Sequence, residues 1–240
     1  MNDIDVLMEF LRFPLDNSDE LFHKFSDIPG CIQRGENMEK FIFIKGKREN
    51  KVLLVAHADT YWDSHYGKGI SQPQEFIQTD GIIQNKNGGL GADDRAGCAM
   101  LWLLRHLGHS LLITNGEEHG RIGSKWLMQN NQDIADEINQ HHQFLIQLDR
   151  RNKTDFKCYT VGTDEFREYV SEMTGYTEPN YSSYTDIVTL CRDVCGVNLS
   201  IGYHNEHTAN EFLDMSAWQN TLRICRKWLS KDDLPRFALP

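Results

Sequence analysis

The chain has 240 residues, 40% of them hydrophobic and 25% charged, the ordinary makeup of a globular protein able to build a core. Lysine and arginine total 25 against 35 acids, a formal net charge of -10, which argues against nucleic acid as a partner because an acidic surface repels a phosphate backbone. No stretch is long and apolar enough to span a bilayer, and the start of the chain, with Asp3, Asp5 and Glu9, lacks the basic region of a secretory signal.

In chain order, Ile4, Leu7, Met8 and Leu11 follow helical spacing and predict an opening amphipathic helix. Phe41 with Phe43, and then Val52 to Ala56, read as two strands separated by the turn-rich segment Gly46 to Asn50. The second is continuously apolar, as a strand buried on both faces would be. Ala96 to Leu107 predicts a buried helix, Leu111 to Thr114 a short buried strand, Ser124 to Asn130 a helix, and Phe144 to Leu148 another strand. Cys158 to Val161 is expected as an edge strand, Glu165 to Met173 as a helix and Val197 to Ile201 as a late strand. Glu211 to Leu229 predicts a long terminal helix, with Phe212, Met215, Trp218, Leu222, Cys225 and Trp228 on one stripe. Strands alternating with helices predict an α/β fold, a mixed, largely parallel sheet with helices on both faces, and residues 1–240 are expected to form a single catalytic domain.

The expected address is the cytoplasm, so the cysteines are expected to be reduced. Cys191 and Cys195, four apart, read as one helical face, with a short disulfide loop as the alternative. His141 and His142, in a polar stretch, are expected to be exposed.

Five groups of acids and histidines follow predicted strands or a glycine-rich turn: His57 with Asp59; Asp93 with Asp94; Glu117 and Glu118 with His119; Asp149; and His207. In an α/β sheet, sites form beyond the carboxyl ends of the strands. A lone His or Asp there is usually a cap or a hydrogen-bonded structural residue. Five groups at one edge are not explained that way, because burying so many acids together is costly without cations to pair them. Imidazole and carboxylate together suit zinc. Asp59, two residues past His57, is expected on the same strand face and so able to orient the imidazole. The pair Glu117–Glu118 can divide its work, one acid binding metal and the other acting as a general base. Gly88 to Gly91 lacks the Lys-Ser/Thr ending of a phosphate loop and reads as the turn that places Asp93.

These motifs, His-x-Asp, Gly91-Ala92-Asp93-Asp94, Glu-Glu, a single Asp and a late His-Thr-x-x-Glu, resemble in order those of the co-catalytic two-zinc metallopeptidases, which include aminopeptidases, tripeptidase-like enzymes, carboxypeptidases and amino-acid deacylases. The resemblance covers the chain from about Val52 to Glu211. It implies that His57 and Asp149 hold one zinc, Glu118 and His207 the other, and that Asp93 bridges them. It further implies Glu117 as general base, Asp59 as orienter of His57, and a cis Asp93–Asp94 bond. Cobalt or manganese is able to replace zinc in such a ligand set. The short stretch from Asp149 to His207 leaves no room for the domain-sized insertion of many relatives, so the chain resembles the compact aminopeptidases. His204 competes with His207 but fits the late motif less well and is expected on the substrate side or at the surface. Tyr184-Thr185-Asp186 reads equally as a helix cap or a site-shaping element. Tyr203, Ser182 and Ser183 are candidate oxyanion donors. Arg150 and Arg151 are candidates for a substrate carboxylate or for structural ion pairs. The expected reaction is hydrolysis releasing N-terminal residues from short peptides or amino-acid amides. An N-acyl amino-acid deacylase uses the same apparatus, an acyl transferase or cyclase sharing the fold with one zinc is the other enzyme reading, and a metal-free homologue is the alternative outside enzymes.

Overall fold

The computed structural model describes residues 2–63, 74–180 and 184–240. In chain order these form α1 (Asp3–Leu11), α2 (Asp19–Ser26), β1 (Cys31–Glu36), β2 (Glu39–Ile44), β3 (Leu53–His57), β4 (Phe76–Thr79), β5 (Ile82–Asn85), α3 (Ala92–Leu104), β6 (Ser110–Thr114) and α4 (Ile122–Asn130). There follow α5 (Gln132–His141), β7 (Leu145–Arg150), β8 (Phe156–Lys157), α6 (Asp164–Thr174), α7 (Asp186–Leu190), β9 (Gly196–Ser200), β10 (Tyr203–His204), β11 (Phe212–Asp214) and α8 (Met215–Leu229). None of these helices is long and apolar enough to cross a membrane.

Seven strands make the main sheet, in the order β1-β2-β6-β3-β7-β9-β8. Its centre, β6-β3-β7-β9, is parallel, and β1, β2 and β8 join antiparallel at the edges. Every residue of β3 is buried. Because successive side chains point to opposite faces, Leu54 and Ala56 enter one core cluster while Leu53 and Val55 enter another. The first cluster takes Phe10, Phe22 and Phe25 from α1 and α2 and Trp218 and Trp228 from α8. The second takes Leu127, Ile134, Ile138 and Ile187 from α4, α5 and α7. Helices therefore cover both faces, as predicted. On α8, Trp218, Leu222, Cys225 and Trp228 are buried at helical spacing; truncating Trp228 to Ala would cost about 3–5 kcal/mol.

Four shorter strands form a second, antiparallel sheet, β10-β11-β5-β4, which the sequence reading did not anticipate. It takes over part of the predicted terminal helix. Phe212 to Asp214 pair with β5, and α8 begins only at Met215, where the Asp214 carboxylate accepts the N–H groups of Ser216 and Ala217 at 2.9 and 3.1 Å. Cys158 to Val161 is not a strand either: the Arg167 guanidinium binds the carbonyls of Tyr159 and Gly162, and the edge strand is Phe156–Lys157 instead. His142 is buried rather than exposed. Its Nδ1 lies 3.1 Å from the carbonyls of Glu137 and Ile138 at the end of α5, and its Nε2 lies 2.7 Å from the Ser110 hydroxyl. Cys191 and Cys195 are free thiols, and α7 ends before Cys191, so they share neither a disulfide nor a helical face.

Candidate active site

Three neighbouring parallel strands deliver their chemistry at one edge. β3 ends in His57, β6 runs through Asn115 and Gly116 into Glu117 and Glu118, and β7 carries Asp149. Gly116 turns the chain with φ +72°, a conformation that side chains rarely adopt. Asp149 sits where the β7–β9 register shifts between Gln147 and Arg150. There Asn198 replaces the ladder: its Oδ1 accepts the Asp149 N–H at 3.0 Å and its Nδ2 donates to the Asp149 carbonyl at 2.7 Å.

Asp93 enters from the start of α3, where Asp93 and Asp94 have non-helical backbone angles and their peptide bond is cis. His207, with φ +63°, comes from the loop between β10 and β11. Candidate ligand atoms of His57, Asp93 and Asp149 lie within 4.8 Å of one another, as do those of Asp93, Glu118 and His207. Asp93 belongs to both triplets. His57 Nε2 is 3.1 Å from Asp93 Oδ1 and 3.5 Å from Asp149 Oδ1. His207 Nε2 is 3.3 Å from Asp93 Oδ2 and 2.8 Å from Glu118 Oε2.

The surrounding contacts leave these faces converging. Gln147 Nε2 and the Thr185 hydroxyl both donate to Asp149 Oδ2 at 2.9 Å, and the Tyr203 hydroxyl donates to Oδ1 at 3.2 Å. Thr185 stands at the N-cap position of α7, but its side chain makes no capping hydrogen bond and its hydroxyl goes to Asp149, so of the two readings the site-shaping one fits; Tyr203 is likewise engaged with Asp149. Asp59 lies beyond the end of β3, and its main-chain carbonyl is 3.1 Å from His57 Nδ1. Its Oδ1 is 3.4 Å from His57 Nδ1, and its two oxygens accept the N–H groups of Glu117 and Glu118 at 3.1 Å each. The Glu117 carboxylate lines the same pocket and has no hydrogen-bond or ion-pair partner among the described residues.

Arg150 and Arg151 also line that pocket; Arg150 is buried 3.9 Å from Asp155, and Arg151 pairs with Glu206 at 2.8 Å. Tyr184, 74% exposed, stands at its mouth. His204 stacks on Phe212 at 4.7 Å, away from the triplets, and His119 does not join them. Ser182 and Ser183 lie outside the described residues. Sequence reading missed Tyr61, which stacks on the His207 ring at 4.6 Å, and the polar interruptions Gln147 and Asn198 within apolar strands, which were a legible signal.

Burial and mutual repulsion dominate the electrostatics. Burial, reinforced by the neighbouring Asp93, raises Asp149 to about 6 and Glu118 to about 7. Glu117 and Asp94 are raised well above the carboxylate range by burial and by Asp149 among other acids. Burial alone would lower both histidines. The facing carboxylates overcome it, raising His57 well above its ordinary value and His207 to about 11. Two imidazoles do not balance this many acids, whereas cations between them would pair the carboxylates and relieve the repulsion. The converging His and carboxylate donors fit divalent zinc, cobalt or manganese.

No protein-family model matches the sequence, and no curated protein sequence matches it. Solved structures do share its fold. A tripeptidase from Staphylococcus aureus aligns with a TM-score of 0.67 at 14% identity, over 96% of this chain and 100% of its own. Aminopeptidase PepT from Bacillus cereus aligns at 0.65 and 14%, over 96% and 98%. Aminopeptidase APDkam598 from the archaeon Desulfurococcus kamchatkensis aligns at 0.62 and 12%, over 95% of each chain. The α/β architecture is therefore the zinc-peptidase-like fold to which the sequence motifs pointed.

Proposed function

We propose that the protein is a metal-dependent aminopeptidase that releases N-terminal residues from short peptides, using two divalent cations, by default zinc. The observation that carries this reading is the pair of ligand triplets sharing Asp93, with the Glu117 carboxylate lining the same pocket. The fold shared with aminopeptidases and a tripeptidase supports peptides as the substrate class.

In this reading His57 and Asp149 would hold one cation and Glu118 and His207 the other, with Asp93 common to both triplets. Divalent cations held there would supply a Lewis acid for the substrate carbonyl and would bring the pKa of a nearby water down to about 7. Glu117 takes the proton from the attacking water and delivers it to the leaving amine as the C–O bond forms and the C–N bond breaks. Asp59 acts from behind: it holds the backbone of Glu117 and Glu118 and faces the far nitrogen of His57. Tyr203 and Thr185 fix the Asp149 carboxylate.

The test is amino-acid release from a mixed di- and tripeptide library, with divalent metal added and then chelated. Chelator-sensitive release from the amino end is expected for free-amine peptides and not for their N-acetylated forms. Turnover confined to acylated amino acids would make the protein a deacylase instead.

A further inference from the structure

Glu211 is 1% exposed and serves no step of the chemistry above. Its carboxylate accepts three main-chain N–H groups from the turn that leads into Asp93. Oε2 takes those of Leu90 at 2.9 Å and Gly91 at 2.7 Å, and Oε1 takes that of Asp93 itself at 3.1 Å. The turn is tightly seated: Gly91 has φ +68°, and a Cβ there would lie 2.3 Å from Leu15 Cδ2. Asn85 Nδ2 holds the Gly89 carbonyl at 2.9 Å.

The other end of the Glu211 side chain belongs to the His207 segment. The Glu211 N–H closes a turn on the Thr208 carbonyl at 3.2 Å, and the next residue, Phe212, starts β11, which pairs with β5. One carboxylate thus joins the two loop-borne members of the ligand set, the shared Asp93 and His207. We propose that Glu211 is a positioning residue that fixes the Asp93 carboxylate relative to His207 and so sets the affinity for both cations.

Replacing Glu211 by Gln discriminates this role from simple loop support. The single amide oxygen can still accept from Leu90 and Gly91, but the NH2 group then opposes the Asp93 N–H, donor against donor. The turn is kept, and the hydrogen bond at the bridging residue is lost. The inference rests on the two-cation reading, so zinc stoichiometry and affinity of the wild type, measured by competition with a chromophoric chelator, come first. Wild type that binds no zinc overturns that reading and this inference with it.

Given two zinc ions per wild-type chain, Glu211→Gln is expected to bind both about 10- to 100-fold more weakly, while the metal-free proteins melt within a few degrees of each other. Unchanged zinc affinity in the folded Gln variant overturns the proposal, as does a metal-free melting loss large enough to account for the weaker binding. Glu211→Asp keeps both oxygens but withdraws them by one methylene. It is expected to fall between wild type and Gln, and if the Gln variant does not fold, wild-type affinity in the Asp variant overturns the proposal.

Discussion

The two sheets contribute to the candidate site in different ways. The main sheet supplies His57, Glu117, Glu118 and Asp149 from the ends of three parallel strands buried on both faces. The small sheet supplies no triplet residue from its strands; it holds together the loops that carry Asp93 and His207. Its β4 is mostly exposed, and β10 has only two residues. One half of the site is thus built into the core, and the other half is braced by short strands and by Glu211.

The largest expected effect lies on the core-built half. Glu117→Gln should lower turnover of a dipeptide by about 10²–10⁴-fold while zinc content stays at the wild-type level. Near-normal turnover would remove Glu117 from the role of base. A ligand swap sharpens the comparison. His207 is 40% exposed on its loop, so His207→Ala should lose zinc from the Glu118 side and most activity while melting close to the metal-free wild type. His57 is 1% exposed and also contacts Asp59, so His57→Ala should lose both metal and fold stability. Equal destabilisation by the two substitutions would erase the distinction between the halves.

Hydrogen exchange on the metal-free protein gives a third test. Amides of β3, β6, β7 and β9 should exchange by global opening, and those of β4, β5 and β11 faster, through local opening. Uniform protection would mean that the small sheet is no weaker than the large one. A smaller effect is expected at the opposite end of the main sheet, where burial, and after it the positive charge of Lys51, hold His142 at about 4 despite the carbonyls of Ile138 and Glu137 and the Glu137 carboxylate. Its folded pKa lies below the unfolded value of about 6.5, so the stabilisation is complete above that pH and falls as pH drops toward 4. The loss amounts to about 3 kcal/mol at most. Chemical denaturation of wild type and His142→Gln across that range should show the difference narrowing toward acid; a pH-independent difference would contradict it.

What the sequence revealed follows the same division. The apolar runs of β3, β6 and β7 mark strands covered on both faces, and an acid or histidine at the end of such a run stands out. Asp93 was legible as an acid placed by a glycine-rich turn, whereas the kinked first turn of α3 was not, since the predicted helix began only at Ala96. The small sheet was not, because Phe76–Thr79 and Ile82–Asn85 are short, half-polar segments that gain their pairing only from distant residues. Phe212 shares the spacing of the α8 stripe, which drew the predicted helix too far forward. Asp214 followed by Ser216 was the local capping signal against it. His142 looked exposed because its neighbours are polar, yet its ring closes the end of α5 against Ser110. Glu211 was visible only as the last letter of a motif, since its partners lie more than a hundred residues earlier in the chain.

The measurement that bears most directly on the central claim is the number of divalent ions held by each chain after the metal-free protein is reloaded with zinc and excess metal is removed. Two per chain in the wild type, falling below one in Asp93→Ala because both triplets lose their common member, is the result expected. One ion or none in the wild type, or two retained by Asp93→Ala, would contradict a two-cation centre built around Asp93.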